Sequence, residues 1–210
     1  TRNLPGARVS AMRQIGRQQG CTLSMTLFAV LNVAIFRISG CEDLVMGVPL
    51  ASRHRPGSEG VMGCFRKRAQ LRTDLSGNPT FREILSRVRH VFKGALAHQD
   101  VALENVFPER DVEHPRHWVQ IPIGFNFREG LDASPVFPDL TVTILGRSLF
   151  YVNPPMDLQV VANGDQVGIT GIARVCHYSE SGIERLLDHY LDALTRIAGN
   201  PDLRLRELLP

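Results

Sequence analysis

The stretch Asn78-Pro79-Thr80-Phe81-Arg82-Glu83-Ile84-Leu85-Ser86-Arg87-Val88-Arg89-His90-Val91-Phe92-Lys93-Gly94-Ala95-Leu96-Ala97-His98 opens with a chain break and a capping box. The Thr80 hydroxyl can accept from the Glu83 amide, and the Glu83 carboxylate can reach back to Thr80. Phe81, Ile84, Leu85, Val88, Val91, Phe92 and Leu96 then recur at helical spacing, so the segment reads as an amphipathic helix to about His98. Just upstream, Phe65, Lys67, Ala69 and Leu71 fall on one side of an alternating run, which reads as a strand. A helix directly following a strand sets the pattern for the rest of the chain.

Upstream, Ala7 to Gln19 reads as a helix ended by Gly20, and Thr22 can cap a second helix from Leu23 to Ile38, stopped at Ser39-Gly40. That second helix is apolar nearly all round and should be buried. Leu44 to Val48 reads as an inner strand ended by Pro49, and Arg53 to Gly57 as a basic loop. Downstream, Phe107 to Pro122 is rich in proline, Ile123 to Phe127 reads as a strand, Gly130 to Pro138 as a loop and Leu140 to Leu145 as a strand. Met156 to Ala162 and Gln166 to Ala173 flank Asn163-Gly164-Asp165, a hairpin signal. Ser181-Gly182-Ile183-Glu184 offers another capping box, with a helix carried by Ile183, Leu186, Leu187, Tyr190, Leu191, Leu194 and Ile197 and stopped at Gly199-Asn200-Pro201. Strands and helices mixed in this way imply an α/β fold, a mixed β-sheet flanked by helices, with no internal repeat and no boundary between domains.

Composition narrows the function classes. The chain has 210 residues, 43% hydrophobic and 21% charged, as expected of a globular domain. A net charge of +3 gives little support for nucleic-acid binding. No apolar run reaches the roughly 18 residues that span a bilayer, and the opening Thr1-Arg2-Asn3-Leu4-Pro5 has no apolar core of the signal-peptide kind. A start without Met suggests a piece of something longer. Cys21, Cys41, Cys64 and Cys176 form no Cys-x-x-Cys pair and no metal-ligand spacing, so buried, reduced thiols and a cytoplasmic location are expected. Nucleotide-binding, Gly-x-Ser-x-Gly and His-Glu-x-x-His motifs are absent from the sequence, and no directly bound cofactor or metal is expected.

Several polar features remain. His98-Gln99-Asp100 could supply an imidazole base, or could bond the last carbonyls of the helix it ends. Arg110-Asp111 could line a polar passage, or pin a loop as an ion pair. In Arg66-Lys67-Arg68 the middle side chain must point away from its neighbours; the run is a solvated strand end or an anion contact in a channel. Asp157, amid apolar neighbours, should bond backbone amides or pair with an arginine.

The order of these pieces carries a resemblance. Leu44 to Pro49 with Ala51-Ser52-Arg53, Val61-Met62-Gly63-Cys64-Phe65, Leu71 to Asp74, Pro79 to Glu83, Ala97-His98-Gln99-Asp100 with Leu103-Glu104, Pro108 to Asp111, Phe125-Asn126-Phe127, Met156-Asp157-Leu158 and Ile183 to Leu186 follow one another as do the motifs of nonribosomal peptide synthetase condensation domains. The match runs over nearly the whole chain and resembles the C-terminal lobe of such a domain. The resemblance implies a chloramphenicol-acetyltransferase-like lobe. It also implies a function in joining an aminoacyl or peptidyl thioester to the amine of a second carrier-bound residue. The substrates would arrive on phosphopantetheine arms of peptidyl carrier proteins, through a tunnel between two lobes. On that reading Lys67, His98, Gln99, Asp100, Arg110, Asp111 and Asn126 are candidate tunnel residues.

The family's His-His-x-x-x-Asp-Gly motif lies in its N-terminal lobe, and no two histidines are adjacent here. The expectation is therefore a supporting lobe that needs an N-terminal partner lobe and is inactive alone, with no nucleic-acid or membrane partner. Arg66-Lys67-Arg68 replaces the family's Val-Asn-Thr, Ala102-Leu103 its Pro-Phe, and Glu113-His114 its Ser-Arg pattern. These departures leave open a degenerate binding module that recruits a carrier protein or a tailoring enzyme. A related acyltransferase using free acyl-CoA is a third, weaker reading.

Overall fold

A computed structural model describes residues 1–51, 56–58, 60–101, 122–130, 139–140 and 154–209. The expectations for 102–121, among them Arg110-Asp111 and Glu113-His114, lie outside the described residues, as do those for Arg53 to Arg55, for 131–138 and for the strand expected after Leu140.

Six strands form one mixed sheet in the order β1-β6-β5-β4-β2-β3. They are β1 (Arg2–Leu4), β2 (Asp43–Ala51), β3 (Arg66–Asp74), β4 (Ile123–Glu129), β5 (Met156–Asn163) and β6 (Gln166–Ala173). The pairs β2–β4 and β4–β5 are parallel, while β2–β3, β5–β6 and β1–β6 are antiparallel. Four α-helices among the described residues accompany the sheet: α1 (Gly6–Gln18), α2 (Leu23–Ser39), α3 (Phe81–Ala97) and α4 (Glu180–Gly199). The α/β expectation, a mixed sheet flanked by helices, is met.

The helices form for the local reasons legible in the chain. Thr22 Oγ1 accepts from the Met25 amide at 3.2 Å, and Gly40 closes α2 with φ 69°. The capping box at α3 is complete, with the Thr80 amide donating to Glu83 Oε2 at 2.7 Å and the Glu83 amide to Thr80 Oγ1 at 3.3 Å. The cap of α4 differs from expectation. Ser179, not Ser181, accepts from the Gly182 amide at 3.1 Å, and the helix starts at Glu180. Pro49 does not end β2, which runs on to Ala51. The parallel register with β4 is at Gly47↔Gly124, before the proline, whose missing N–H is no obstacle to the antiparallel pairing with β3. The β5–β6 hairpin turns on Gly164-Asp165, with Asn163 and Gln166 paired and Gly164 at φ 58°, the first loop position where type II′ turns place glycine.

The core lies between one sheet face and the helices. Leu44, Met46 and Val48 of β2, Leu71 of β3, Phe125 of β4, Leu158 and Val160 of β5 and Val167 and Ile169 of β6 all point to it. Helix α2 sits at its centre, buried from Leu27 to Phe36. Phe28 is edge-on to Phe92 of α3 (centroids 5.2 Å) and to Phe125 of β4 (5.5 Å), so one ring ties two helices to the sheet. Tyr190 of α4 is fully buried and donates to the Leu27 carbonyl at 3.1 Å; burial drives its phenol pKa far up. The expectation of buried thiols holds for Cys21 alone. Cys41, Cys64 and Cys176 are exposed, because each lies in a connection rather than on a core-facing position, and all four are free. Among the described residues no single helix is long and apolar enough to cross a membrane.

Candidate functional site

Period-two alternation divides the candidate residues between the two faces of the sheet. Lys67 shares the helix-side face with Leu71 and Thr73, which are buried. Its Nζ lies 3.4 Å from both the Gln99 and the Asp100 carbonyl oxygens, just past the C-terminal end of α3. An ammonium there complements the negative end of the helix dipole. The structure thus brings Lys67, His98, Gln99 and Asp100 together, through the backbone of the last two. His98 is the C-cap of α3: its amide donates to the Gly94 carbonyl and its own carbonyl accepts from the Val101 amide.

Asn126 belongs to the other face. Phe125 and Phe127 turn toward the core, so Asn126, Gly124 and Arg128 turn away from it. The same face carries Asp157 and Gln159 of β5 and Arg66 and Arg68 of β3. Here lies a polar network: Arg128 Nη2 donates to Gln159 Oε1 at 2.9 Å, and Gln159 Nε2 to Asp157 Oδ2 at 3.3 Å. Asp157 is 8% exposed. Burial holds its carboxyl above the usual aspartate range, against the pull of the Gln159 amide and of Arg68, Arg66 and Arg128. Burial likewise lowers the Arg68 pKa, against the attraction of Asp157. For both groups desolvation outweighs attraction.

Small residues make room for this network. Gly47 and Gly124 are neighbours in register, and Gly124 pairs with Asp157. A Cβ on Gly124 would collide with Asp157 Oδ1 and come within 2.8 Å of Pro154 Cγ. At the far end of the same strands a groove of about 450 Å³ is lined by Pro49, Ala51, Cys64, Arg66, Asn126 and Arg128, with Leu50, Gly63, Phe65 and Phe127 completing it. Of the described tunnel candidates, Asn126 alone lines this groove.

The tunnel candidates read from the sequence omit Asp157, Arg128 and Gln159, which the structure joins. Asp157 does meet the field of arginines, the second of its two expected partners. These arginines come from β3 and β4, distant in sequence, and only the placement of Arg66 and Arg68 on alternate positions of a strand hints at them.

The family model for the Condensation domain matches residues 1–209, and the chain belongs to that family. One of the subunits of linear gramicidin synthase from Brevibacillus parabrevis is 33% identical over 215 aligned residues, covering 99% of this chain and 4% of that protein. Tyrocidine synthase 3 of the same organism is 24% identical over 198 residues, covering 94% of this chain and 3% of that protein. In structure, the X-domain from teicoplanin biosynthesis superposes with a TM-score of 0.81 at 20% identity, covering 98% of this chain and 48% of that one. The first condensation domain of the CDA synthetase gives 0.72 at 14% identity, covering 97% and 46%. The chain therefore spans just under half of these solved domains and a few per cent of the synthetases.

Proposed function

We propose that these 210 residues are the C-terminal lobe of a condensation domain, forming amide bonds between carrier-bound aminoacyl or peptidyl thioesters only together with an N-terminal lobe. The family match over residues 1–209, combined with coverage of just under half of the solved domains, carries the reading. The lobe contributes wall and positioning groups. The sheet face bearing Asn126, Arg128, Asp157 and Arg66 faces the substrates, and on the opposite face Lys67 holds the segment from His98 to Asp100 at the end of α3. Arg110 and Asp111 belong to the same passage on this reading. The proton transfer is left to the paired histidines of the other lobe. Phosphopantetheine arms of peptidyl carrier proteins deliver both substrates, in the cytoplasm, and the lobe binds no cofactor of its own.

The test is the reading frame upstream of Thr1. It should encode His-His-x-x-x-Asp-Gly about a lobe's length earlier. Replacing the second histidine by alanine in the joined protein should abolish amide formation from loaded carriers. A frame without the motif would instead favour a recruiting module. That second reading draws on one observation: the X-domain from teicoplanin biosynthesis in its complex with OxyB superposes on this chain with a TM-score of 0.80.

A further inference from the structure

The groove at the ends of β2, β3 and β4 has an unusual charge balance. Arg66 and Arg128 line it, and no carboxylate does among the described residues. The nearest acids in sequence and register are committed elsewhere. Glu129 turns to the helix side and pairs with Arg13 at 3.1 Å. Asp157 is buried, accepts from Gln159, and shares the field of Arg68 as well as of Arg66 and Arg128, so one carboxylate faces three guanidinium groups. Arg128 commits Nη2 to Gln159, yet its Nε is buried with no hydrogen-bond partner among the described residues. Opposite Arg66 the register places Ala51, and opposite Arg68 it places Pro49, so β2 offers only short apolar side chains on this face and leaves the groove open beside the guanidinium groups. Asn126 adds an amide that can donate.

We propose that this groove is a carboxylate subsite, in which an acidic side chain on the acyl group of a thioester arm is held between Arg66 and Arg128. A guanidinium fork suits a carboxylate, which it can bind through two parallel hydrogen bonds. The phosphate of the arm itself is the competing occupant, and the test separates the two. The proposal rests on the condensation-lobe reading for the identity of the arm, but its test reads binding and not turnover, so that a failure here leaves the lobe assignment standing.

The 210-residue chain is titrated calorimetrically with N-acetyl-glutamyl-pantetheine, N-acetyl-glutaminyl-pantetheine, pantetheine and phosphopantetheine. The Arg66→Gln and Arg66→Lys variants are titrated alongside, with circular dichroism confirming that each is folded. Arg66 is exposed, so its replacement spares the core. An acidic side chain as the source gives glutamyl over glutaminyl by about tenfold, lost in Arg66→Gln and largely kept in Arg66→Lys. A preference for phosphopantetheine over pantetheine with none for glutamyl over glutaminyl gives the groove to the arm's phosphate and overturns the proposal. Equal binding of charged and neutral probes, or a charge preference unchanged in Arg66→Gln, overturns the proposal.

Discussion

Gly124 and Asp157 stand side by side in parallel register on β4 and β5, and the missing Cβ of the glycine is the space the carboxylate occupies. An alanine there must displace Asp157 Oδ1 and press on Pro154, both on the face that carries the polar network. Gly124→Ala is expected to destabilise the chain by about 2 kcal/mol, the usual scale of overpacking at a tight site. Urea denaturation checks this; an unchanged midpoint would show that the carboxylate does not lie over β4.

The same carboxylate should leave a mark on the pH dependence of stability. Burial raises its pKa in the folded chain. The native state therefore holds this proton to higher pH than the unfolded chain does. The contribution is fully present below the unfolded pKa and is lost as pH rises through the folded one. Just above the ordinary aspartate range the wild type should therefore lose stability with rising pH relative to Asp157→Asn, a comparison that cancels the opposite contributions of Asp43, Asp74 and Glu83 common to both. Denaturation midpoints across a pH series test it; parallel curves would contradict the assigned burial.

Phe28 is fully buried and edge-on to both Phe92 and Phe125. Phe28→Ala removes contacts to α3 and β4 at once and should cost about 4 kcal/mol, a large share of the roughly 5–15 kcal/mol by which domains are stable. Phe28→Leu keeps most of the volume and should cost less than half of that. Thermal unfolding of the two variants checks the order; equal losses would mean that ring geometry outweighs volume.

Helix α3 is legible in the sequence because every local signal agrees: a complete capping box, a 3.6-residue apolar repeat and a preceding proline. Helix α4 shows the limit. Ser179 and Ser181 are both competent caps two residues apart, and only the observed Ser179–Gly182 hydrogen bond separates them. Pro49 reads as a strand end because proline lacks a donor, yet what decides its tolerance is which neighbour it pairs with, a tertiary fact. For the site, alternation alone places Lys67 opposite Arg66 and Arg68, as found. It cannot show that Lys67 reaches the carbonyls of Gln99 and Asp100, or that Arg128, Gln159 and Asp157 form a chain across β4 and β5. Those partners are set by strand order, and the order β5-β4-β2-β3 is not written in any local pattern.

On the proposed function, these residues complete a condensation domain and do not form one alone. The decisive experiment is amide formation from two loaded carrier proteins, followed by mass spectrometry, as the separately produced upstream lobe is titrated into the 210-residue chain. No product is expected from the chain alone, and turnover should rise with added lobe and saturate near equimolar ratio. Product from the chain alone would contradict the need for a second lobe.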